Sequence, residues 1–254
     1  MSATAIGVFM ALKSKAEARE MYLEYKEHRG EDTMSVGGYL FALSLFIAFG
    51  IALAAFTASQ TYTMKPNGWW IVAYFAITIP GVIISGMSRN WLVSLIGYVM
   101  IILPTGAIVG PYVKLFELSS VLNVLMLTIA ATVVIGFLGA IWPKSVEHWF
   151  GFLFAGLVIL LLADLSPLIL KYFGMKPALH QPTVDWFAIG LFSLLIFYDM
   201  NQAMRMPPNL NNAVYNAVAM YLNMINLFVR LLARTGQLAP EVASTVGEVV
   251  GEAL

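Results

Sequence analysis

The chain has 254 residues, of which 60% are hydrophobic and 11% charged, and its formal net charge is zero. Soluble domains carry about 25% charged and about 45–50% apolar residues, so this composition indicates an integral membrane protein. The zero net charge offers no basic surface to nucleic acid, and the absence of cysteine excludes disulfides, thiol catalysis and cysteine metal sites.

Residues 1–36 precede the first membrane-length segment and are predicted to form a cytoplasmic leader. The apolar part of this leader comes before its charged part, which is the reverse of a secretory signal. Residues 9–29 have the pattern of an amphipathic, mixed-charge helix. Two interpretations stay open: a solvated leader, or a helix that lies on the membrane surface or binds a partner.

Seven segments are long and apolar enough to span a membrane, since about 20 mostly apolar residues cross a hydrocarbon core of about 30 Å. They are residues 37–59, 69–87, 91–112, 119–142, 149–170, 184–206 and 211–232. Backbone groups in lipid must be satisfied internally, so spans of this length are helices. The predicted fold is an all-α seven-transmembrane-helix bundle over residues 37–232, followed by a polar C-terminal tail over residues 233–254.

The distribution of lysine and arginine predicts the orientation of this bundle. Eight of these residues fall on the side of the N-terminus and six on the opposite side. Because cytoplasmic loops carry the excess of positive charge, the N-terminus is predicted to lie in the cytoplasm and the C-terminus outside.

The sixth span contains a carboxylate in the stretch LFSLLIFYDMNQAMRMPP, residues 191–208. We expect the helix to continue to Met206, because Pro207 and Pro208 stop it. Asp199 then lies about seven residues, or roughly 10 Å, inside the helix end. Gln202 lies one turn further on, on the same face. Ionisable residues inside spans are costly and are functional candidates, and a carboxylate has a protonation state to use.

The seventh span carries a row of amides. Asn212, Asn216, Asn223 and Asn226 follow the 3.6-residue period along one helix face, and Arg230 extends the row. Antiparallel folding of the last two spans brings Asp199 and Asn223 to similar depth, which predicts a hydrogen-bonded acid–amide pair. For the asparagines the alternative is structural, with interhelical contacts of about 0.6 kcal/mol each.

Other polar residues give weaker signals. Arg89, between spans two and three, is either an interfacial positive-inside residue or a counter-ion. Asp164, near the end of span five, is predicted to face the membrane interface. His28, His148 and His180 fall outside the spans without metal-ligand spacing, and no nucleotide-binding motif occurs, so an enzyme is not predicted.

Proline and glycine in the third span predict local departures from a straight, evenly spaced helix. Pro104 is predicted to kink this helix. Gly106 and Gly110 are predicted to allow close packing or bending.

The last two spans resemble a known family. IFYDMNQ, followed by AVAMYLNMINLFVRLLA, is similar to the C-terminal signature of the Bax inhibitor family, and GYVMIILPTGAIVGPYV is similar to its third span. The resemblance implies six helices around a central seventh and a pH-sensitive calcium leak. It also implies a sensor made of two aspartates, one in each of the last two spans.

Asp199 matches the first aspartate of that sensor, while Asn223 takes the place of the second. An asparagine cannot ionise, so half of the two-carboxylate sensor is missing and the coupling between two like charges is lost. Asp199 with amide oxygens would bind calcium only weakly, because calcium takes several oxygen ligands.

The function expected from the sequence is a pH-influenced calcium or other cation leak channel without a cofactor. The alternative is a non-conducting regulator that binds a membrane protease or a stress-response partner. Its docking element would be the N-terminal helix or the tail GQLAPEVASTVGEVVGEAL. The missing cysteines and the bacterial character of the resemblance predict a bacterial inner membrane, with the endoplasmic reticulum membrane as the alternative.

Overall fold

Seven long α-helices make up most of the protein in a computed structural model, which describes residues 34–65, 67–174, 181–240 and 242–243. The helices are α1 (Val36–Thr61), α2 (Gly68–Met87), α3 (Trp91–Val113), α4 (Leu118–Ile141), α5 (Phe150–Tyr172), α6 (Gln181–Ala203) and α7 (Leu210–Thr235). A 3₁₀ turn, Glu147–Trp149, leads into α5. All seven are long and apolar enough to cross a membrane, which confirms the predicted fold class.

Two predictions fall on parts of the chain for which no structure is described. The amphipathic helix predicted for residues 9–29 lies outside the described residues. So do residue 241 and residues 244–254, about half of the predicted tail.

Polar caps mark where several helices begin. Ser35, Asn67, Asn90 and Asn209 precede α1, α2, α3 and α7, and each side-chain oxygen accepts a hydrogen bond from a backbone N–H of the first turn. Such caps satisfy donors that have no partner inside the helix. These caps fix the first residues of the spans more sharply than hydropathy does.

Helix α7 is the centre of the bundle. In its most apolar 18-residue stretch 72% of the residues are buried, against 17–44% in the other six helices. Protein therefore covers most of the surface of α7, and a helix covered by protein can carry amides that lipid would not accommodate. Helices α1, α2, α3, α4 and α6 pack against α7, and α5 packs mainly against α6, so α7 is central as the family resemblance implies.

The apolar core lies on both sides of α7. On one side Tyr39 of α1 and Tyr98 of α3 pack against Val214. On the other side Leu153 of α5 and Ile196 of α6 form a second buried cluster, which reaches α7 as well. The central helix thus belongs to both packed clusters, so a substitution in α7 alters the packing of several other helices.

Glycines let α1 and α3 approach closely. A Cβ on Gly106 would lie 2.6 Å from the backbone oxygen of Ala54, and a Cβ on Gly110 would collide with the backbone oxygen of Ala58. Small residues at helix–helix contacts allow this proximity in membrane bundles. The close packing predicted for these two glycines is confirmed.

Contacts at the start of α1 and after the end of α7 distinguish the two ends of the bundle. Met34 donates its backbone N–H to the carbonyl of Pro208, which places the start of α1 beside the α6–α7 connection. At the opposite end, Phe116 and Leu238 form an isolated β-bridge just after α7. We call these ends the N-face and the C-face.

Candidate functional site: a buried acid–amide pair and a charged cleft

The structure brings Asp199 and Asn223 together in the bundle interior. Asn223 Nδ2 donates to Asp199 Oδ2 at 2.5 Å. Asn223 is 1% exposed, and Asp199 is half-buried. The contact expected from helix periodicity is therefore present, while its role in gating stays a prediction.

The connection between α6 and α7 turns the chain back, so that Asp199 of α6 can reach Asn223 of α7. Helix α6 ends at Ala203, three residues before the predicted Met206, and a hydrogen-bonded turn runs on to Met206 through its N–H and the carbonyl of Gln202. Asp199 thus lies four residues, or roughly 6 Å, from the end of α6. Asn223 lies near the middle of α7, so the pair joins the N-face half of α6 to the centre of the bundle.

The pair leaves one polar atom unmatched. Asn223 Oδ1 is buried and has no hydrogen-bond partner among the described residues, and the same is true of Gln202 Nε2. A carboxylate accepts only, whereas a protonated carboxyl group also donates. If Asp199 takes up a proton and the Asn223 amide group rotates by half a turn, Asn223 Oδ1 can accept a hydrogen bond from the protonated carboxyl group. The pair can therefore exchange the direction of its hydrogen bond when Asp199 changes protonation state.

The N-face part of the asparagine row binds protein groups. Asn212 Nδ2 donates to the carbonyl of Pro207 at 2.8 Å. Asn216, which is 2% exposed, donates to the Tyr39 hydroxyl of α1 at 2.8 Å. These contacts favour the structural interpretation for Asn212 and Asn216, because they tie the start of α7 to its own loop and to α1.

The C-face part of the row ends in an ion-pair network. Arg230 donates to Asp185 of α6 at 2.7 Å and also to Asp164 of α5. Arg234 Nε lies 3.0 Å from the second carboxylate oxygen of Asp185. Asp164 was predicted to face the membrane interface; its side chain is 35% exposed and reaches Arg230. We call these four residues the Arg230 network.

A cleft of about 530 Å³ opens beside this network. It lies between α2, α3 and α7, with Asp185 contributed by α6. Tyr74, Tyr112, Asn226 and Arg230 are among its lining residues. The side-chain nitrogen of Asn226 donates to the carbonyl of Leu222 in its own helix, so the side-chain oxygen of Asn226 remains available to a group in the cleft.

Arg89 lies in the exposed turn between α2 and α3, at the N-face. Asn211, which the sequence analysis did not single out, ties this turn to α7. Its Nδ2 donates to the carbonyl of Ser88 at 3.1 Å, and its Oδ1 accepts from Ser94 at 2.8 Å. The alternatives for Arg89, interfacial residue or counter-ion, remain predictions.

A second missed residue is Asn201, which is 1% exposed and joins α6 to the α4–α5 connection. Its side-chain nitrogen donates to three carbonyls, those of Gly139, Trp142 and Lys144. Its oxygen accepts from the backbone N–H of Val146 and from Arg205 Nε. Asn201 sits two residues after Asp199, so this junction holds the end of α6 that carries the carboxylate.

No three His, Asp or Glu side chains of the described ranges come together in a way that could hold a metal ion. Calcium takes six to eight oxygen ligands in stable sites. Among side chains, Asp199 has Asn223 as its hydrogen-bonding neighbour. Its assignment as a weak calcium ligand stays a prediction.

The fold and the pair define a class: a polytopic helical membrane protein in which a carboxylate is held by a buried amide of the central helix. Comparison with family models narrows the class. The model described as "Inhibitor of apoptosis-promoting Bax1" matches residues 32–238, a range that includes all seven helices. The chain belongs to this family, the Bax inhibitor family. A comparison with curated proteins gives no match.

Proposed function

We propose that this protein is a calcium-permeable cation leak of the Bax inhibitor family, gated at the Asp199–Asn223 pair. The observation that carries the proposal is the carboxylate of α6 hydrogen-bonded to a fully buried amide of the central helix. Ionisable groups in this position mark ion pathways in membrane proteins. The missing cysteines and the bacterial character of the resemblance favour a bacterial inner membrane, and the lysine and arginine distribution favours an N-terminus in the cytoplasm.

The position of the pair suits a gate. Asn226 lines the cleft on the C-face side, and Asn223 lies about one helical turn deeper in α7. Asp199 is half-buried in the N-face half of α6. The buried Asn223 therefore lies between the cleft and the carboxylate, and an ion can pass only if the two side chains separate.

Protonation of Asp199 supplies a means of separating them. The ionised carboxylate accepts a charge-assisted hydrogen bond from Asn223, and such bonds are about twice as strong as neutral ones. A protonated Asp199 keeps only a neutral bond, which weakens the link between α6 and α7. Since Asn223 cannot ionise, a single proton governs this link, and the leak should respond to pH in one step instead of the two steps of coupled carboxylates.

Calcium flux into proteoliposomes tests the proposal directly. Wild type is expected to leak calcium above empty liposomes, and Asp199→Asn is expected to raise that leak at neutral pH, because the neutral amide, like a protonated acid, keeps only a neutral bond to Asn223. Glu147→Gln is the matched control, since Glu147 is an exposed carboxylate at the same end of the bundle. Folded wild-type protein that passes no calcium would overturn the proposal.

The alternative function, a regulator that conducts nothing, would then become the working hypothesis. The segments considered for partner binding, residues 1–30 and the end of the tail, lie outside the described residues. Deleting residues 1–30 separates the two functions. A channel gated at Asp199 keeps its leak after this deletion, whereas a regulator that docks through the leader loses its partner.

A further inference from the structure

The Arg230 network brings four charges together, and two of the four side chains are largely buried in protein. The side chain of Asp185 is 8% exposed and that of Arg230 is 16% exposed. Moving charges out of water costs several kcal/mol per ion, so such groups are retained where they are paired. The two arginines and two aspartates balance, and the network as a whole is neutral.

The network forms one wall of the cleft. Arg230 and Asp185 are both lining residues, and the cleft also exposes Asn226, one turn before Arg230 on α7. Arg230 extends from the central helix to α6 and α5. Its guanidinium is therefore held against the wall by two carboxylates instead of projecting as an unpaired positive charge.

We infer that the cleft is the aqueous vestibule by which cations approach the gate from the C-face, and that the Arg230 network sets the charge of this vestibule. This inference rests on the proposed function, whose ion route it completes. Arg230 and Asp185 are then selectivity-determining residues. Arg230 lies about two turns of α7 from Asn223, and Asp185 lies about four turns of α6 from Asp199.

Removing one partner changes the charge of the wall in a defined direction. Asp164→Asn leaves the arginines in excess, so the vestibule becomes positive and repels cations. Arg230→Gln leaves both carboxylates, so the vestibule becomes negative and attracts cations. The double variant Asp185→Asn/Arg230→Gln removes one charge of each sign and restores neutrality.

The cysteine-free chain allows a direct test of water access and charge. Asn226→Cys is labelled from the C-face with two membrane-impermeant methanethiosulfonate reagents, one carrying a trimethylammonium group and the other a sulfonate. The expected result is rapid labelling, with Phe137→Cys as the unlabelled control, since Phe137 is 61% exposed on the membrane-facing surface of α4. Each rate is divided by the rate of mercaptoethanol in solution.

The ratio of the two rates reports the charge of the cleft. Asp164→Asn is expected to raise the anion-to-cation ratio at Cys-substituted position 226 about three- to tenfold, and high salt should reduce this change. Asp164 is chosen for this substitution because its side chain is the most exposed in the network, so no buried charge is removed. Arg230→Gln should shift the ratio the opposite way, and the double variant should return it toward the wild-type value.

Two results overturn the inference. The first is labelling at position 226 no faster than at the Phe137→Cys control. The second is a ratio that is the same in wild type, Asp164→Asn and the double variant. If Arg230→Gln does not fold, the Asp164→Asn ratio and its salt dependence decide the question.

Calcium flux separates this inference from the proposed function. In a conducting wild type, Asp164→Asn should lower and Arg230→Gln should raise the initial calcium flux about threefold or more, while Lys144→Gln, an exposed charge at the N-face, should leave it unchanged. A wild type without flux overturns the proposed function. A wild type that leaks calcium while position 226 stays unlabelled overturns the vestibule alone.

Discussion

Asn223 of the central helix donates its side-chain N–H to the carboxylate of Asp199, 2.5 Å away, and Asn223 itself is only 1% exposed. The contact joins α6 to α7 in the bundle interior. A hydrogen bond to a charged group is worth about 1.5–3 kcal/mol, whereas polar contacts between membrane helices average about 0.6 kcal/mol. The energetic coupling between these two residues decides whether the pair is more than packing.

A double-mutant cycle measures this coupling. Asp199→Ala, Asn223→Ala and the double variant should give a coupling energy of about 1–2 kcal/mol, because Asp199 is a charged acceptor in a shielded site. The measurement is reversible unfolding in detergent micelles at neutral pH. Single-variant effects that add within about 0.3 kcal/mol would show that the two side chains do not interact energetically.

Asn201 is predicted to matter for stability more than any other amide in α6. Asn201→Ala removes the side chain that binds three carbonyls and one N–H of the segment 139–146, and it leaves the carbonyl of buried Gly139 and the N–H of buried Val146 without this partner. We expect a loss of about 2–4 kcal/mol, measured as a lower unfolding midpoint. Asn67→Ala is the comparison, since it removes an exposed helix cap and should cost about 1 kcal/mol. Equal losses in the two variants would contradict the buried-junction account.

Alanine is predicted to have opposite effects at a closely packed glycine of α3 and at an open glycine of α6. Gly106→Ala places a methyl group against the Ala54 backbone and should destabilise the protein by about 1–3 kcal/mol. Gly190→Ala, in the interior of α6, meets nothing within 4 Å and should be neutral or stabilising by up to about 1 kcal/mol. Thermal unfolding in one detergent reports both. A stabilising Gly106→Ala would mean that the two helices are further apart than described.

Sequence periodicity could predict the acid–amide pair because the information is local. The 3.6-residue period sets the face of Asn223, and the short, proline-containing connection forces α6 and α7 to be antiparallel. The depth of Asp199 was predicted less well, because α6 ends at Ala203 and not at Met206. The seven spans were predictable for the same reason, since each is a continuous apolar segment.

The contacts of Asn201 and Arg230 depend on tertiary packing instead. The partners of Asn201 are backbone carbonyls about 60 positions away, and backbone groups leave no trace in side-chain patterns. Arg230 reaches Asp164 because α5 packs beside α6, which hydropathy does not specify. One local signal was available: Arg230 and Arg234 share a helix face, an arrangement that needs acidic partners in a shielded site.

The central claim is that protonation of the pair controls a cation leak, and Asn223→Asp tests it most directly. This change restores a second carboxylate beside Asp199. Because the two like charges repel, the pair should lose its protons in two separate steps, and the leak should respond to pH over a wider range. Calcium flux into proteoliposomes is measured from pH 5 to pH 8 for wild type, Asn223→Asp and Asp199→Asn. The account predicts a one-step pH dependence in wild type, a two-step dependence over a wider pH range in Asn223→Asp, and none in Asp199→Asn. Identical pH profiles for all three folded proteins would contradict it.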